Sequence, residues 1–138
     1  MSNEAANVAI LKDAYRQWHE SKGGSVEQLL SICDPGVRWG SVPRGVAPLA
    51  FATEYSSRDA LHGYFDGLLA DWAMVHYTID EYVAQGDAVV ARGSCKWTYK
   101  KTGKTAETPK VDFWRFKDGK AVEFYEYFDT ACAAAAAT

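Results

Sequence analysis

The sequence predicts a single α+β domain, because helical patterns fill its first half and strand patterns fill its second half. Apolar residues recur at helical spacing in three stretches before residue 73. Four strand-like segments follow, and glycine-containing turns separate them. Helices segregated ahead of a mostly antiparallel sheet are typical of α+β folds. A chain of 138 residues suits one domain, and residues 1–138 are expected to form a single unit.

Three helices are predicted from apolar stripes and from their start and stop signals. The first spans roughly residues 4–20 and ends before a Gly-Gly pair. Ser25 begins the second helix with a capping-box pattern, and Pro35 lies just beyond its end. The third begins near Ser56 and carries its apolar stripe to Trp72. Each helix therefore offers one apolar face to the sheet.

One short strand, residues 37–41, precedes the third helix, and four longer strands follow that helix. Between the short strand and the third helix, residues 42–56 are expected to form a long irregular loop. The later strands are expected near residues 75–83, 87–99, 107–117 and 120–129. The closing residues 131–138 are low in complexity and are expected to fray.

The segment 111–129 combines acidic and aromatic side chains in one predicted hairpin. Asp112, Glu126 and Asp129 lie among its phenylalanine, tyrosine and tryptophan residues. Strands favour aromatic residues and disfavour acids, because a half-buried surface rewards area and penalises uncompensated charge. These acids are therefore expected either on the wet face of the sheet or on the wall of a pocket.

The turn of this hairpin leaves two registers open. A three-residue loop pairs Phe116 with Lys120 and places Asp112 opposite Phe124. A two-residue turn pairs Lys117 with Lys120 and moves every side chain to the other face. We favour the three-residue loop, which puts Asp112 and the later acid of the hairpin on one face.

The other face of the hairpin is also rich in aromatic residues, and this predicts a homodimer. Under the favoured register that face carries Phe113, Arg115, Glu123, Tyr125 and Tyr127, with Trp97 and Tyr99 close by. An exposed aromatic patch commonly marks an interface, and a two-fold axis through the sheet would let the patch meet itself.

Composition narrows the class of protein. A net charge of −3 and a pI near 5.6 argue against binding to nucleic acid. No apolar run is long enough for a membrane span, and no signal peptide is recognisable at the first residues. Three unpaired cysteines fit a reducing cytoplasm, and no histidine or cysteine spacing suggests a metal. The lysines of one hairpin, Lys110 among them, are expected on a solvated edge.

The order of elements and several motifs resemble the nuclear transport factor 2-like superfamily, and within it the SnoaL-like and ketosteroid isomerase-like proteins. The resemblance covers nearly the whole chain. It rests on Trp39 after the second helix, Gly86-Asp87 before the long strand, VDFWRF at 111–116 and EYFDT at 126–130. It implies a cone in which a curved, mostly antiparallel sheet wraps around the three helices. It also implies a deep apolar pocket between helices and sheet.

The resemblance to ketosteroid isomerase-like proteins assigns roles to two residues. Tyr15 is similar to the tyrosine of their oxyanion hole, and Asp112 to its protonated acid. Burial among aromatic rings disfavours an ionised carboxylate, so a neutral Asp112 could donate a hydrogen bond. The position of the family's catalytic base is Gly40 here, between Trp39 and Ser41. Steroid isomerisation by that route is therefore not expected.

A second resemblance, to limonene epoxide hydrolase-like proteins, concerns their Asp-Arg-Asp set. Glu126 corresponds to the acid of the final strand and Arg92 to the arginine, whereas Ser94 replaces the second aspartate. This resemblance implies that Arg92, Asp112 and Glu126 face inward from neighbouring strands. An arginine there would lower the pKa of both carboxylates, which conflicts with a protonated Asp112. The two resemblances leave the protonation state of Asp112 open.

These observations predict a cofactor-free enzyme that applies acid–base chemistry to an aromatic or polycyclic small molecule. Isomerisation, cyclisation, dehydration and carbon–carbon cleavage are all reactions that such acid–base chemistry can catalyse. Asp112 and Tyr15 would polarise an oxyanion, while Glu126, oriented by Arg92, would move the proton. The expected substrate-binding lining is Trp18, Trp39, Tyr55, Phe65, Trp114, Phe124 and Phe128. The alternative is a non-catalytic ligand-binding or assembly module of the same fold.

Overall fold

The computed structural model describes residues 3–138 and has an α+β architecture, which confirms the predicted fold class. The helices are α1 (Glu4–Glu20), α2 (Val26–Ser31), α3 (Leu61–Asp71) and α4 (Thr130–Ala136). The strands are β1 (Cys33–Ser41), β2 (Trp72–Gln85), β3 (Ala88–Tyr99), β4 (Thr105–Lys117) and β5 (Lys120–Phe128). Within residues 3–138, no helix has the length and apolar character that crossing a membrane would require.

The five strands form one sheet in the order β1-β5-β4-β3-β2. Neighbouring strands run antiparallel, except that β1 and β5 run parallel. The helices pack on the inner face of this sheet through a continuous core of buried aromatic and aliphatic side chains. Trp39 on β1 stacks on Phe124 of β5 with ring centroids 3.8 Å apart, so two adjacent strands supply the centre of the core.

The β4–β5 hairpin has a register that differs from both sequence-based alternatives. A two-residue turn pairs Lys117 with Lys120, and Asp118 and Gly119 in this turn have φ values of 51° and 79°. An irregularity between Arg115 and Phe116 then shifts the pairing. The favoured three-residue loop was therefore wrong. A β-bulge adds one residue to one strand of the pair. Beyond the bulge, each side chain therefore lies on the face that the three-residue loop predicted.

Beyond this bulge, Asp112 lies opposite Glu126 in the ladder instead of opposite Phe124. Both carboxylates point to the inner face, where they are buried. The expectation that the two acids share a face is confirmed, but they are direct cross-strand neighbours. Their side chains are therefore closer than the favoured register implied.

The chain end is a helix, so the expectation of a frayed tail was wrong. Asp129 caps α4 by accepting a hydrogen bond from the amide nitrogen of Cys132 at 3.0 Å. Ala133 and Ala136 are buried against the core. Alanine is the strongest helix former, which explains why a low-complexity alanine run folds here. The helix packs against β4, and Ala133 contributes to the wall of the inner cavity.

Candidate active site

A cavity of about 90 Å³ lies between the helices and the inner face of the sheet. Aromatic side chains form most of its wall, and two carboxylates and one lysine form its polar part. Six of the seven expected lining residues face it: Trp18, Trp39, Phe65, Trp114, Phe124 and Phe128. Tyr55 does not line it, and its hydroxyl donates to the carbonyl oxygen of Phe51 at 2.7 Å.

Asp112 lies on this wall, 1% exposed, and accepts three hydrogen bonds. The hydroxyls of Tyr15 and Tyr77 donate to its Oδ2 at 2.5 and 3.0 Å. Lys110 Nζ donates to its Oδ1. The indole nitrogen of Trp114 donates to the hydroxyl of Tyr15 at 2.9 Å, which fixes the direction of that chain of hydrogen bonds. Asp112 is thus held as an acceptor, and Tyr15 directs its proton at Asp112 instead of at the cavity.

Glu126 mirrors this arrangement on the neighbouring strand. Its Oε2 accepts hydrogen bonds from the hydroxyls of Ser41 and Tyr64 at 2.5 and 2.7 Å. Its Oε1 lies 3.0 Å from Lys110 Nζ. Each carboxylate therefore has one oxygen on the lysine and the other on two hydroxyls.

Lys110 joins the two carboxylates and is the main residue that sequence reasoning missed. It is 6% exposed, although a solvated edge was expected. Alternate residues of β4 point inward, so Lys110 shares the inner face with Asp112 two positions later. That two-residue spacing was the available signal. Tyr64, Tyr77 and Ser41 were missed as well, because their partners lie on other elements.

Burial and charge shift the pKa values of this cluster in opposite senses. Burial, supported by the charge of Glu126, raises the pKa of Asp112, while Lys110 opposes that rise. For Lys110, burial acts to lower the pKa, but the two carboxylates outweigh it and the pKa is raised. Burial also raises the pKa values of Tyr15, Tyr64 and Tyr77, so all three hydroxyls stay protonated. The ammonium between two carboxylates is the charged state that this cluster favours.

Arg92 lies outside the site, so its expected inward orientation was wrong. Its guanidinium is exposed and pairs with Glu81 on β2, with Nη1 and Oε1 2.9 Å apart. Ala91, the preceding residue, is the one that β3 buries. Lys110 occupies the position between the two carboxylates that was assigned to the arginine.

Gly40 faces away from the cavity, and this explains the absence of a base at that position. A Cβ atom added to Gly40 would lie 2.5 Å from the ring of Tyr125 on the outer face. The next residue, Ser41, points inward to Glu126. A carboxylate at position 40 would therefore meet the outer aromatic patch and not the pocket.

A family model described as a SnoaL-like domain matches residues 13–124, and the chain belongs to the SnoaL-like family. The family fold points to catalysis on, or binding of, a small molecule. A search of curated proteins found no match. Within the described residues, no group of histidine, cysteine and acidic side chains could hold a metal ion.

Solved structures support the nuclear transport factor 2-like fold. An NTF2-like protein of unknown function from Burkholderia pseudomallei has a TM-score of 0.82 and 26% identity, covering 100% of this chain and 99% of that one. TerC co-crystallized with polyporic acid has a TM-score of 0.79 and 22% identity, covering 95% and 97%. A candidate SnoaL-like polyketide cyclase from Jannaschia sp. CCS1 has a TM-score of 0.76 and 14% identity, covering 96% and 92%. The resemblance drawn from the sequence is confirmed.

Proposed function

We propose that the protein is a cofactor-free enzyme that moves a proton at a carbon next to a carbonyl group in a small ring compound. The observation that carries this proposal is the buried Asp112–Lys110–Glu126 cluster on the wall of an aromatic cavity. A buried ion cluster is a costly arrangement, and such clusters occur often at functional sites. Isomerisation, aldol-type cyclisation and dehydration of a β-hydroxy ketone begin with such a proton transfer, and retro-aldol carbon–carbon cleavage ends with its reverse.

Lys110 is the group that would polarise the carbonyl. An ammonium carries three N–H bonds, and the two carboxylates accept two of them. Among the described residues, no further side chain accepts the third, and Lys110 lines the cavity. A carbonyl oxygen placed there would receive a charge-assisted hydrogen bond that strengthens as an enolate forms. The lysine takes over the role that Tyr15 and Asp112 were expected to play.

Glu126 is the group that would carry the proton. In the proposed step the C–H bond breaks, its electron pair forms the enolate, and the proton goes to the Glu126 carboxylate. Ser41, Tyr64 and Lys110 use three of the roughly four lone-pair positions of this carboxylate. The remaining position is available to the substrate. Asp112 holds Lys110 and Tyr15 in place and supplies the second negative charge.

The cavity volume favours a smaller substrate than a polycyclic one. An engineered protein cavity of about 150 Å³ holds one benzene molecule, whereas this cavity is about 90 Å³. Even one ring therefore requires the lining to move. Leu49 and Phe51 belong to the irregular loop between β1 and α3 and form part of the cavity wall. We therefore expect this loop to move when a ring enters the cavity.

Proton exchange in heavy water tests the proposal without knowledge of the natural substrate. One-ring ketones such as acetophenone and 2-cyclohexenone are incubated with the protein, and proton NMR follows loss of the C–H signal next to the carbonyl. We expect at least one compound to exchange, and Asp112→Asn to slow that exchange by about 10²-fold or more, because a neutral amide replaces one of the two charges that hold the Lys110 ammonium.

The alternative, a ligand-binding module without catalysis, draws support from the completeness of the hydrogen-bond network. Every oxygen of both carboxylates already has a partner in the absence of a ligand. Under this alternative a ketone would raise the melting temperature, yet its C–H signal would persist. Asp112→Asn would then leave ligand binding unchanged.

We also propose that the protein is a homodimer that pairs through the outer face of β4 and β5. Tyr127 is 48% exposed there, and its ring lies 5.0 Å from that of Tyr125. Arg115 lies over the ring of Phe113 and also contacts Glu123 at 3.3 Å. Trp97 is not part of this surface, contrary to expectation, because it faces the cavity. Tyr99 packs instead against Trp72, with ring centroids 4.9 Å apart.

Sedimentation velocity at micromolar concentration tests the dimer. Twice the chain mass of 15.2 kDa gives a species of about 30 kDa. Tyr127→Asp should shift the protein toward the single-chain mass, because it places a negative charge in the aromatic patch. Val46→Asp serves as the control, since Val46 is an exposed apolar residue of the loop between β1 and α3. A wild-type protein that sediments only as one chain contradicts the proposal.

A further inference from the structure

A second, larger groove lies on the other side of Tyr15 and Tyr77, between α1 and β2. Its volume is about 650 Å³, compared with about 90 Å³ for the inner cavity. The side chains that line it are those of Val8, Lys12, Tyr15, Arg16, His19, Tyr77, Thr78, Ile79, Asp80 and Tyr82. This volume lies within the usual range of small-molecule sites, which is about 300–1,000 Å³.

Among residues 3–138, two side chains are shared by the groove and the inner cavity. Tyr15 and Tyr77 line both, and their rings stack with centroids 5.7 Å apart. Their hydroxyls meet at the same oxygen of Asp112. The wall between the groove and the reactive cluster is therefore one pair of side chains thick.

The α1 side of the groove presents hydrogen-bond donors. His19 Nδ1 accepts a hydrogen bond from the amide nitrogen of Tyr77 at 3.1 Å, so a neutral His19 carries its proton on Nε2. Lys12 lies on the same face of α1, seven residues earlier. Among the described residues, the Lys12 ammonium has no ion-pair partner and lies 5.8 Å from the ring centroid of Tyr82.

Among the described residues, Lys12 is the cation of the groove wall that no carboxylate engages. Arg16 is engaged by Asp13 and Glu20 at 2.6 and 2.9 Å. Asp80 is the acid among the described residues that line the groove, and no ion pair joins it to Lys12. The inner cavity instead holds two carboxylates and one lysine. A ligand that spans both sites is therefore expected to be neutral at its inner end and anionic at its outer end.

We propose that this groove is a subsite for the anionic tail of the substrate, with Lys12 and the Nε2–H of His19 as its donors. The proposal rests on the proposed function, because the ring and carbonyl of the same molecule occupy the inner cavity. Entry of the ligand parts Tyr15 from Tyr77. The substrate class is then a one-ring ketone that carries a carboxylate on a short flexible chain.

Two ketones of matched shape test this subsite on the full-length protein. One is 5-oxo-5-phenylpentanoate, and the other is valerophenone, in which a methyl group replaces the carboxylate. We expect the carboxylate compound to bind about tenfold more tightly at low salt, as measured by titration calorimetry or NMR. This advantage should shrink as salt is added, because the site is partly exposed.

Substitutions in the groove test which side chains cause the tighter binding of the carboxylate compound. Lys12→Met should reduce the advantage to less than about threefold, since it removes one charge-assisted hydrogen bond. His19→Asn should reduce it in part, because the amide oxygen of asparagine still accepts from Tyr77 while the outer N–H is lost. Lys104→Met is the control, since Lys104 is an exposed lysine of the β3–β4 turn. Equal binding of the two ketones, binding of neither, or an unchanged ratio in Lys12→Met would overturn the proposal.

The two proposals fail in different ways. Glu126→Gln should lose carbon–hydrogen exchange and keep the preference for the carboxylate compound. If the wild-type protein shows that preference but exchanges neither ketone, the groove is supported and the proposed reaction is rejected. If both ketones exchange and bind equally, the reaction is supported and the groove is rejected.

Discussion

Glu126→Gln is expected to slow exchange of the carbonyl-adjacent hydrogen by 10²–10⁴-fold, the usual contribution of a general base. The amide keeps the shape of the carboxylate and removes its titratable oxygen. Its carbonyl oxygen can accept from Lys110, and its NH₂ group can donate to Ser41 and Tyr64 once their hydroxyls rotate. The variant should therefore fold, and the substitution should lower the exchange rate. The measurement is the exchange rate of the most reactive ketone under saturating ligand.

A matched surface variant separates this effect from a general loss of charge. Glu81→Gln removes a glutamate that pairs with Arg92 on the exposed side of the sheet. It should leave exchange within about twofold of the wild type, because exposed ion pairs contribute little. If Glu126→Gln exchanges as fast as Glu81→Gln, Glu126 is not the base. The proposed mechanism is then wrong even though the fold is right.

The element order up to β5 was predictable because each of these elements carries a local signal, whereas the final helix α4 was not predicted. The helical stripe of residues 4–20 matches α1 to the residue, and the last four strands lie within three residues of their expected bounds. The helix starts that differ from the prediction, or that lack the predicted cap, are those where the sequence signals compete. Ser25 begins α2 without the side-chain hydrogen bond of a cap. The third helix begins at Leu61 instead of Ser56, because residues up to Ala60 form turns.

Two of the errors within the site have one common cause, the phase of β3. Arg92 was predicted to face inward and Trp97 outward. In the structure Arg92 faces outward and Trp97 faces the cavity. Two residues five positions apart must lie on opposite faces of a regular strand, so one wrong phase misplaces both. The sequence around Ala91 is apolar on both faces and gives little alternation from which to read the phase. Only pairing with β2 and β4 decides it.

The acids Asp112 and Glu126 were predictable, while their partners other than Tyr15 were not. An acid in a run of aromatic residues is a strong local anomaly. By contrast, Ser41 and Tyr64 are ordinary residues for a strand and a helix, and they acquire a role only through contacts across the fold. For Lys110 the signals in the sequence conflicted. Its two-residue spacing from Asp112 indicated the same inner face, whereas the other lysines of its hairpin indicated a solvent-exposed position.

Lys110→Met is expected to have the largest effect on stability of any change in the site. Methionine matches the length of lysine but leaves two buried carboxylates, 1% and 3% exposed, without the cation between them. Removing one partner from a buried ion pair costs about 3–5 kcal/mol, since the remaining charge is uncompensated. For a domain of this length that corresponds to a fall of roughly 10–20 °C in melting temperature. Calorimetry or circular dichroism measures it.

Neutralising the carboxylates in the same variant tests whether charge is the cause. The triple variant Lys110→Met, Asp112→Asn, Glu126→Gln removes the cation and both anions together, and the four tyrosine and serine hydroxyls keep amide partners. We expect it to recover much of the lost melting temperature, because neutral polar groups that remain hydrogen-bonded are far less costly to bury than unpaired charges. Lys104→Met, at an exposed turn, should shift the melting temperature by little. A single variant Lys110→Met as stable as Lys104→Met would mean that the carboxylates do not need the lysine. A triple variant no more stable than the single one would place the effect in packing, not in charge.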